Sequence, residues 1–205
     1  MNEPGTVPAI GDDDGGQALR LMEGDINPNK ALLSVAAHMF HRRDLNVGSG
    51  EFQEMAFWLF GADEIIKTVA QPSDDIIALF RDGGYEVATV QQPKIQKLVF
   101  DCGPLGLGSM AAHGHADALS FTLSVDGEQI LIDSGAFMYM GAGDERRYFR
   151  GTQAHTAVVI DGLDQSEMLG PFQWGRRATS RLHEASLAEG KVVLQALHDG
   201  YRRLG

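Results

Sequence analysis

The sequence predicts an α+β protein in which a helical first part gives way to an antiparallel sheet, read as one layer of a sandwich. Three observations carry that expectation. Apolar residues recur at helical spacing up to about residue 84, and strands with period-two or β-branched patterning follow from residue 85. Asp-Gly or Glu-Gly pairs then punctuate the second half as hairpin turns. The expected division is 1–84 for the helices and 85–205 for the sheet.

The first helix is expected over Asn29–Arg43, where Leu32, Val35, Ala36, Met39 and Phe40 fall at i, i+3, i+4, i+7 and i+8 and make one apolar face. Asn27-Pro28 starts it, since proline is tolerated in a first turn. A second helix runs over Glu51–Phe60 and stops at Gly61. Ser73-Asp74-Asp75 offers an N-cap for a short helical turn, Ile76–Phe80.

Strands are then expected over Tyr85–Val90 and Lys94–Phe100. The clearest hairpin joins Ala118–Val125 to Glu128–Asp133 through Asp126-Gly127. Thr156–Ile160, followed by Asp161-Gly162, opens another, and Ala178–Leu187 pairs with Lys191–His198 across Glu189-Gly190. The chain stops at Tyr201–Gly205, just after a strand. Few helices and an unfinished sheet read as the central portion of a larger protein, truncated at both ends.

Composition narrows the function classes. At 43% hydrophobic and 22% charged residues the chain is an ordinary globular sequence, and no apolar run nears the roughly 20 residues that span a bilayer. Met1–Gly16 carries acids where a secretory signal needs a basic start and an apolar core, so no signal peptide is visible. The single cysteine, Cys102, excludes an intrachain disulfide and is read as a small core residue. A net charge of -11 argues against nucleic acid as a partner, and any polyanionic substrate would need a local cationic patch.

The chemistry-bearing residues cluster in the second half. In an extended segment His113 and His115 point to one side, with Asp117 two residues further on, and Gly114 permits close approach to the backbone. Folding the hairpin at Asp126-Gly127 returns Asp133 beside the residues preceding Ala118, and His155 lies at the mouth of the next strand. Two histidines and an aspartate with an open fourth position suit zinc. Equally, Asp133 caps the Ser134-Gly135 turn and His155 is a buried, hydrogen-bonded histidine. The glycine-broken segment 137–151 carries Tyr139, Arg146, Arg147, Tyr148 and Arg150. Arginine pairs carboxylates and tyrosine can move protons, so it is a candidate substrate loop; as a solvated loop its aromatics would only pin it to the sheet. Asp12-Asp13-Asp14 invites a calcium-loop reading that fails, because Gly16 offers no ligand and Gln17 replaces the turn glycine.

From Gly106 to Ser166 the chain resembles the heparinase II/III-like family of polysaccharide lyases. The matching residues are His113-Gly-His115-Ala-Asp117, Leu131-Ile-Asp133-Ser-Gly135, Tyr139, Arg147-Tyr-Phe-Arg150, Ala154-His155-Thr156 and Asp161-Gly-Leu-Asp164. Ile10–Gly15 and Phe80–Tyr85 also look like family segments. The resemblance implies the end of an incomplete (α/α) toroid followed by an antiparallel β-sandwich-type domain, with the site in the cleft between. It implies a lyase that cleaves anionic, uronate-containing polysaccharide, such as a glycosaminoglycan or alginate, by β-elimination in the periplasm or outside the cell.

The resemblance also implies roles. His113 binds the uronate carboxylate or moves the C5 proton, Tyr139 is a cleft tyrosine with Tyr148 a further candidate, and Arg147 and Arg150 meet the substrate. His115, Asp133 and His155 hold a structural zinc ion. The amide and the principal tyrosine of the family come from earlier toroid helices, outside this sequence. Two other readings stay open: a non-catalytic carbohydrate-binding or cell-envelope module of the same fold, and a cupin-like metal oxygenase. The latter expects a glutamate shortly after the histidines, which Ala118–Val125 does not supply.

Overall fold

The computed structural model describes residues 7–16, 21, 28–46, 54–61, 74–141 and 143–204. They fall into two compact units, one holding Gly15–Ser73 and the other Pro8–Asp14 with Asp74–Gly205. In the first unit, helix α1 (Pro28–Met39) pairs with the short helix α2 (Glu54–Phe60). The buried residues of α1 are Ala31, Ser34, Val35 and Ala37, whereas Leu32, Met39 and Phe40 are exposed. The apolar face read from the large side chains is thus rotated: small residues allow close approach, and the His38 ring turns back to the Ser34 carbonyl. Residues 51–53 of the second expected helix lie outside the described residues, as does Ser73.

The second unit is built on a five-stranded antiparallel meander in sequence order: β1 (Ile76–Phe80), β2 (Tyr85–Val90), β3 (Gln96–Asp101), β4 (Phe121–Val125) and β5 (Glu128–Leu131). β1 corrects the helical turn expected there. Five residues are too few for a stable helix, and Ile76–Phe80 instead pairs residue for residue with Thr89–Tyr85. The Asp75 carboxylate, expected as part of a cap, accepts the Gln91 N–H at 2.7 Å and ties the strand ends together. The sheet therefore begins before residue 85.

Turn chemistry explains the hairpins. Asp126-Gly127 and Glu189-Gly190 both place two residues at positive φ, the type I′ geometry that matches strand twist. The second of these joins β8 (Ser180–Ala188) to β9 (Lys191–His198). Asp161-Gly162 adopts the same conformation, yet only a single bridge, Ile160 to Leu163, forms beside it. Its flanks are claimed elsewhere: the Thr156 hydroxyl accepts the Phe121 N–H at 3.0 Å, and the Tyr201 hydroxyl binds the Val158 and Leu163 carbonyls, each at 3.0 Å. The strand expected over Thr156–Ile160 is accordingly absent.

β8 and β9 lie against β1 and β2, giving the second layer of the sandwich. Cross-strand neighbours Ala88, Leu98, Phe100, Phe121 and Leu123 share one face and line the space opposite Val192 and Leu194. The remaining pairing is short: β6 (Met168–Gly170) with β7 (Gln173–Trp174), following helix α3 (Gly143–Phe149) and the turn after it.

Two local features lock the β2–β3 corner that precedes the site. Gly84 sits at φ +73, and a Cβ there would fall 2.0 Å from the Gly103 Cα. Only two glycines let these backbones cross, with the Cys102 N–H donating to the Gly84 carbonyl at 2.8 Å. Beside the crossing, the buried Cys102 thiol donates to the buried Glu86 carboxylate at 2.6 Å. Burial first, and then that carboxylate, push the thiol up to about 12.

Gly84→Ala should lower stability by about 3 kcal/mol in urea unfolding, since it adds strained φ to a backbone clash. At pH 8 native Cys102 should resist iodoacetamide and react only on unfolding, because a thiol titrating that high is about one part in ten thousand thiolate. Rapid native alkylation would contradict the assignment.

Candidate metal centre

The site begins where β3 ends. The Asp101 carbonyl accepts the Leu119 N–H at 2.8 Å, which turns the chain between β3 and β4 back on itself. Within that excursion His113 adopts φ +60, so His113-Gly114-His115 is not an extended segment. The two imidazoles consequently enter different surroundings rather than one side. His113 is exposed and stacks on Tyr139 with ring centroids 5.6 Å apart. His115 is 1% exposed. Gly114 does permit a close approach, but to the chain's own Gly106, whose N would lie 2.8 Å from a Cβ.

His155 reaches the same place from a clamped turn. The buried Thr152 accepts the Gln165 N–H on its hydroxyl at 2.9 Å and donates its own N–H to Asp164 at 2.9 Å. One residue after His155, Thr156 is fixed to β4. The His155 ring then lies 5.2 Å from the His115 ring. The Ala116 N–H, next to His115, donates to the Arg150 carbonyl at 2.9 Å, joining the two segments.

Each ring has one nitrogen held by a carboxylate and one left over. His155 Nδ1 donates to Asp133 Oδ2 at 2.8 Å, and His115 Nε2 lies 3.1 Å from Asp12 Oδ1. His155 Nε2 and His115 Nδ1 are buried with no hydrogen-bond partner. Ligand atoms of His115, Asp117 and His155 all lie within 4.8 Å of one another. An orphaned buried imidazole nitrogen is costly, and two beside a buried carboxylate form the donor set that suits zinc. The residues therefore fit the ion.

Electrostatics agree. Burial pushes the Asp117 carboxyl up to about 8, and Asp101 nearby up to about 6. A dication would supply the positive charge that these acids lack. Burial holds His115 below the usual histidine value despite Asp12, which favours a neutral, ligating ring. For His155 burial also works downward, but the Asp133 hydrogen bond and the Asp117 charge outweigh it and leave the ring raised.

Asp133 plays both parts of its alternative reading: Oδ1 caps the turn by accepting the Gly135 N–H at 2.8 Å, while Oδ2 holds His155. The segment 137–151, expected as one loop, contains the helix α3, while residues 137–141 before it have no regular structure. It separates its cations sharply. Arg147 and Tyr148 are exposed, whereas Arg150 is buried, donates to the Gly170 carbonyl at 3.2 Å and covers the Trp174 ring at 4.6 Å. Arg150 is thus committed to main chain and an aromatic face. Arg146, which carried no separate role in the sequence, donates to both oxygens of Asp12 at 2.9 and 2.6 Å and lies against Tyr139 and Phe172.

Sequence reasoning missed Asp12 and Arg146 in these positions, and gave Asp117 no ligand role. The spacing of Asp117 two residues after His115 was a usable signal. Nothing local distinguishes Asp12 from Asp13 and Asp14, or Arg146 from its neighbours; long-range contact selects them.

The family model for the heparinase II/III-like C-terminal domain matches residues 73–205. Among solved structures, heparan sulfate lyase HepC from Pedobacter heparinus is similar at 17% identity and a TM-score of 0.62, over 98% of this chain and 26% of that one. A structure titled heparinase III, BT4657 gene product, is also 17% identical, with a TM-score of 0.59 over 92% of this chain and 25% of that one. At such identities the likeness is one of fold. The chain spans about a quarter of the length of these structures. No curated protein sequence matches it.

Removing Arg146 should leave a buried carboxylate short of its cation. Arg146→Met is expected to cost about 3–5 kcal/mol in urea unfolding, whereas exposed Arg147→Met should cost under about 0.5 kcal/mol. Equal effects would refute the division between them.

Proposed function

The chain belongs to the heparinase II/III-like family, and on that premise we propose that it forms the β-sheet part of a polysaccharide lyase acting on uronate-containing polymers. One observation carries the reading: exposed His113, stacked on half-buried Tyr139, stands two residues from the buried His115–His155 pair with its two unpartnered ring nitrogens. A catalytic surface and a rigid support are thereby joined through one short segment. One of the similar structures is a heparan sulfate lyase and another a heparinase III, which makes heparan sulfate the first polymer to test.

In β-elimination the C5–H bond breaks, a C4–C5 double bond forms and the C4–O4 bond breaks. The proton beside a carboxylate anion is weakly acidic, so the carboxylate must first be neutralised by hydrogen bonds or positive charge. In this reading His113 does this, or takes the C5 proton, and the Tyr139 hydroxyl gives a proton to the departing oxygen. Their stacking fixes the two groups relative to each other. Exposed Arg147 offers a substrate carboxylate or sulfate a bidentate partner, against a chain whose net charge is -11. Tyr148, exposed on the same helix, is a further contact rather than a proton donor in this reading.

Zinc would be held by His115, His155 and the Asp117 carboxylate, while Asp133, expected as a ligand, stands behind His155 as the acceptor of its Nδ1–H. It supplies a structural cross-link when bound, fixing the segment that carries His113. Among the described residues no helix is long and apolar enough to cross a membrane, and we take the working site to be the periplasm or the exterior, where such polymers occur.

Incubating the intact protein with heparan sulfate, heparin and alginate should raise the ultraviolet absorbance of unsaturated uronate. His113→Ala should lower kcat at least about 100-fold, and Arg147→Ala should mainly raise KM. No absorbance rise with any uronic polymer would sink the lyase reading; binding without product would favour a carbohydrate-binding role. His115→Ala should abolish stoichiometric zinc. Asp117→Asn should weaken it strongly, and Asp133→Asn less, by freeing the His155 ring. Unchanged zinc in all three would contradict the metal reading.

A further inference from the structure

We propose that Asp12 is the positioning carboxylate for His115, holding Nε2–H so that Nδ1 is the nitrogen presented to the metal. The inference rests on the zinc reading above and extends it to a segment far away in sequence. Asp12 and His115 are separated by 103 positions, yet their side chains are 2% and 0% exposed and lie 3.1 Å apart. The matching pair on the other side of the site is Asp133 with His155 at 2.8 Å. The two carboxylates do the same work: each takes one ring nitrogen and leaves the other buried and unpartnered.

Asp12 is itself held from two directions. Arg146, 4% exposed, grips both carboxylate oxygens, and that guanidinium is braced in turn by the Pro171 carbonyl at 3.2 Å. The backbone of the same segment is pinned to the site: the Asp12 N–H donates to the His113 carbonyl at 2.9 Å. Gly11 makes that approach possible, because a Cβ there would lie 2.6 Å from the His113 oxygen and its φ is +65. With a guanidinium on both of its oxygens Asp12 is a charge-assisted acceptor, the kind of partner that fixes an imidazole tautomer. Segment Pro8–Asp14 groups with the sheet and not with the helices around it, as expected if its role lies at this site.

The test compares zinc affinity by chelator competition and the visible absorption of the cobalt-substituted protein. Asp12→Asn keeps an oxygen acceptor and should weaken zinc by about 10-fold; Asp12→Ala should weaken it by up to about 100-fold. Both should shift the cobalt bands, which a loss of general stability would not. Gly11→Ala removes no polar group, yet should weaken zinc by about 10-fold by displacing the segment. Folded Asp12→Asn and Gly11→Ala proteins with affinities within about twofold of wild type would overturn the inference while leaving the metal site standing. A wild-type protein that binds neither zinc nor cobalt would instead overturn the metal reading itself.

Discussion

Everything at this site depends on how two buried imidazoles are each anchored by one carboxylate. Asp12 holds His115 and Asp133 holds His155, and the rings face one another across 5.2 Å with a nitrogen apiece left free. Burying four titratable groups together is expensive unless each is paired or neutralised. Here Arg146 neutralises Asp12, the Gly135 N–H shares Asp133, and Asp117 remains as an acid that burial pushes up to about 8. Asp117 is thus the acid of this group left beside the two free ring nitrogens.

The fold supplies this arrangement by bringing together four separate stretches of chain. The β3–β4 excursion delivers His115 and Asp117, the end of β5 delivers Asp133, the Thr152 turn delivers His155, and the N-terminal segment delivers Asp12. None of these lies inside a strand. The sheet acts as a frame whose corner is fixed by the Gly84–Gly103 crossing, and the chemistry is carried by the loops that the frame positions. Exposed His113 and half-buried Tyr139, stacked on each other, then lie outside that buried interior.

Much of this was legible from residues alone, for identifiable reasons. Asp126-Gly127 and Glu189-Gly190 announce their hairpins because the turn conformation is local. The same signal at Asp161-Gly162 yields the turn without the hairpin, since Thr156, Val158 and Leu163 are claimed by β4 and Tyr201. Ile76–Phe80 misleads because its partner strand, not its own sequence, decides its conformation. His115 and His155 come together, but Asp117 rather than Asp133 lies with their ligand atoms, and Asp133 holds the other nitrogen of His155; His113 and His115 part company at a positive φ that no extended-strand argument foresees. Asp12 and Arg146 were out of reach, because 134 positions separate them and neither stands out among like neighbours. Arg150 shows the converse: a residue type suited to binding anions is spent on Gly170 and Trp174.

The His113–Tyr139 pair is joined through one short segment to a buried interior that, in the proposed reading, zinc completes. The most direct measurement is an anomalous-difference map collected across the zinc absorption edge from crystals of the intact protein. The account predicts a single peak within bonding reach of His115 Nδ1 and of His155, flanked by Asp117. A featureless map, with both free nitrogens hydrogen-bonded to water, would contradict it.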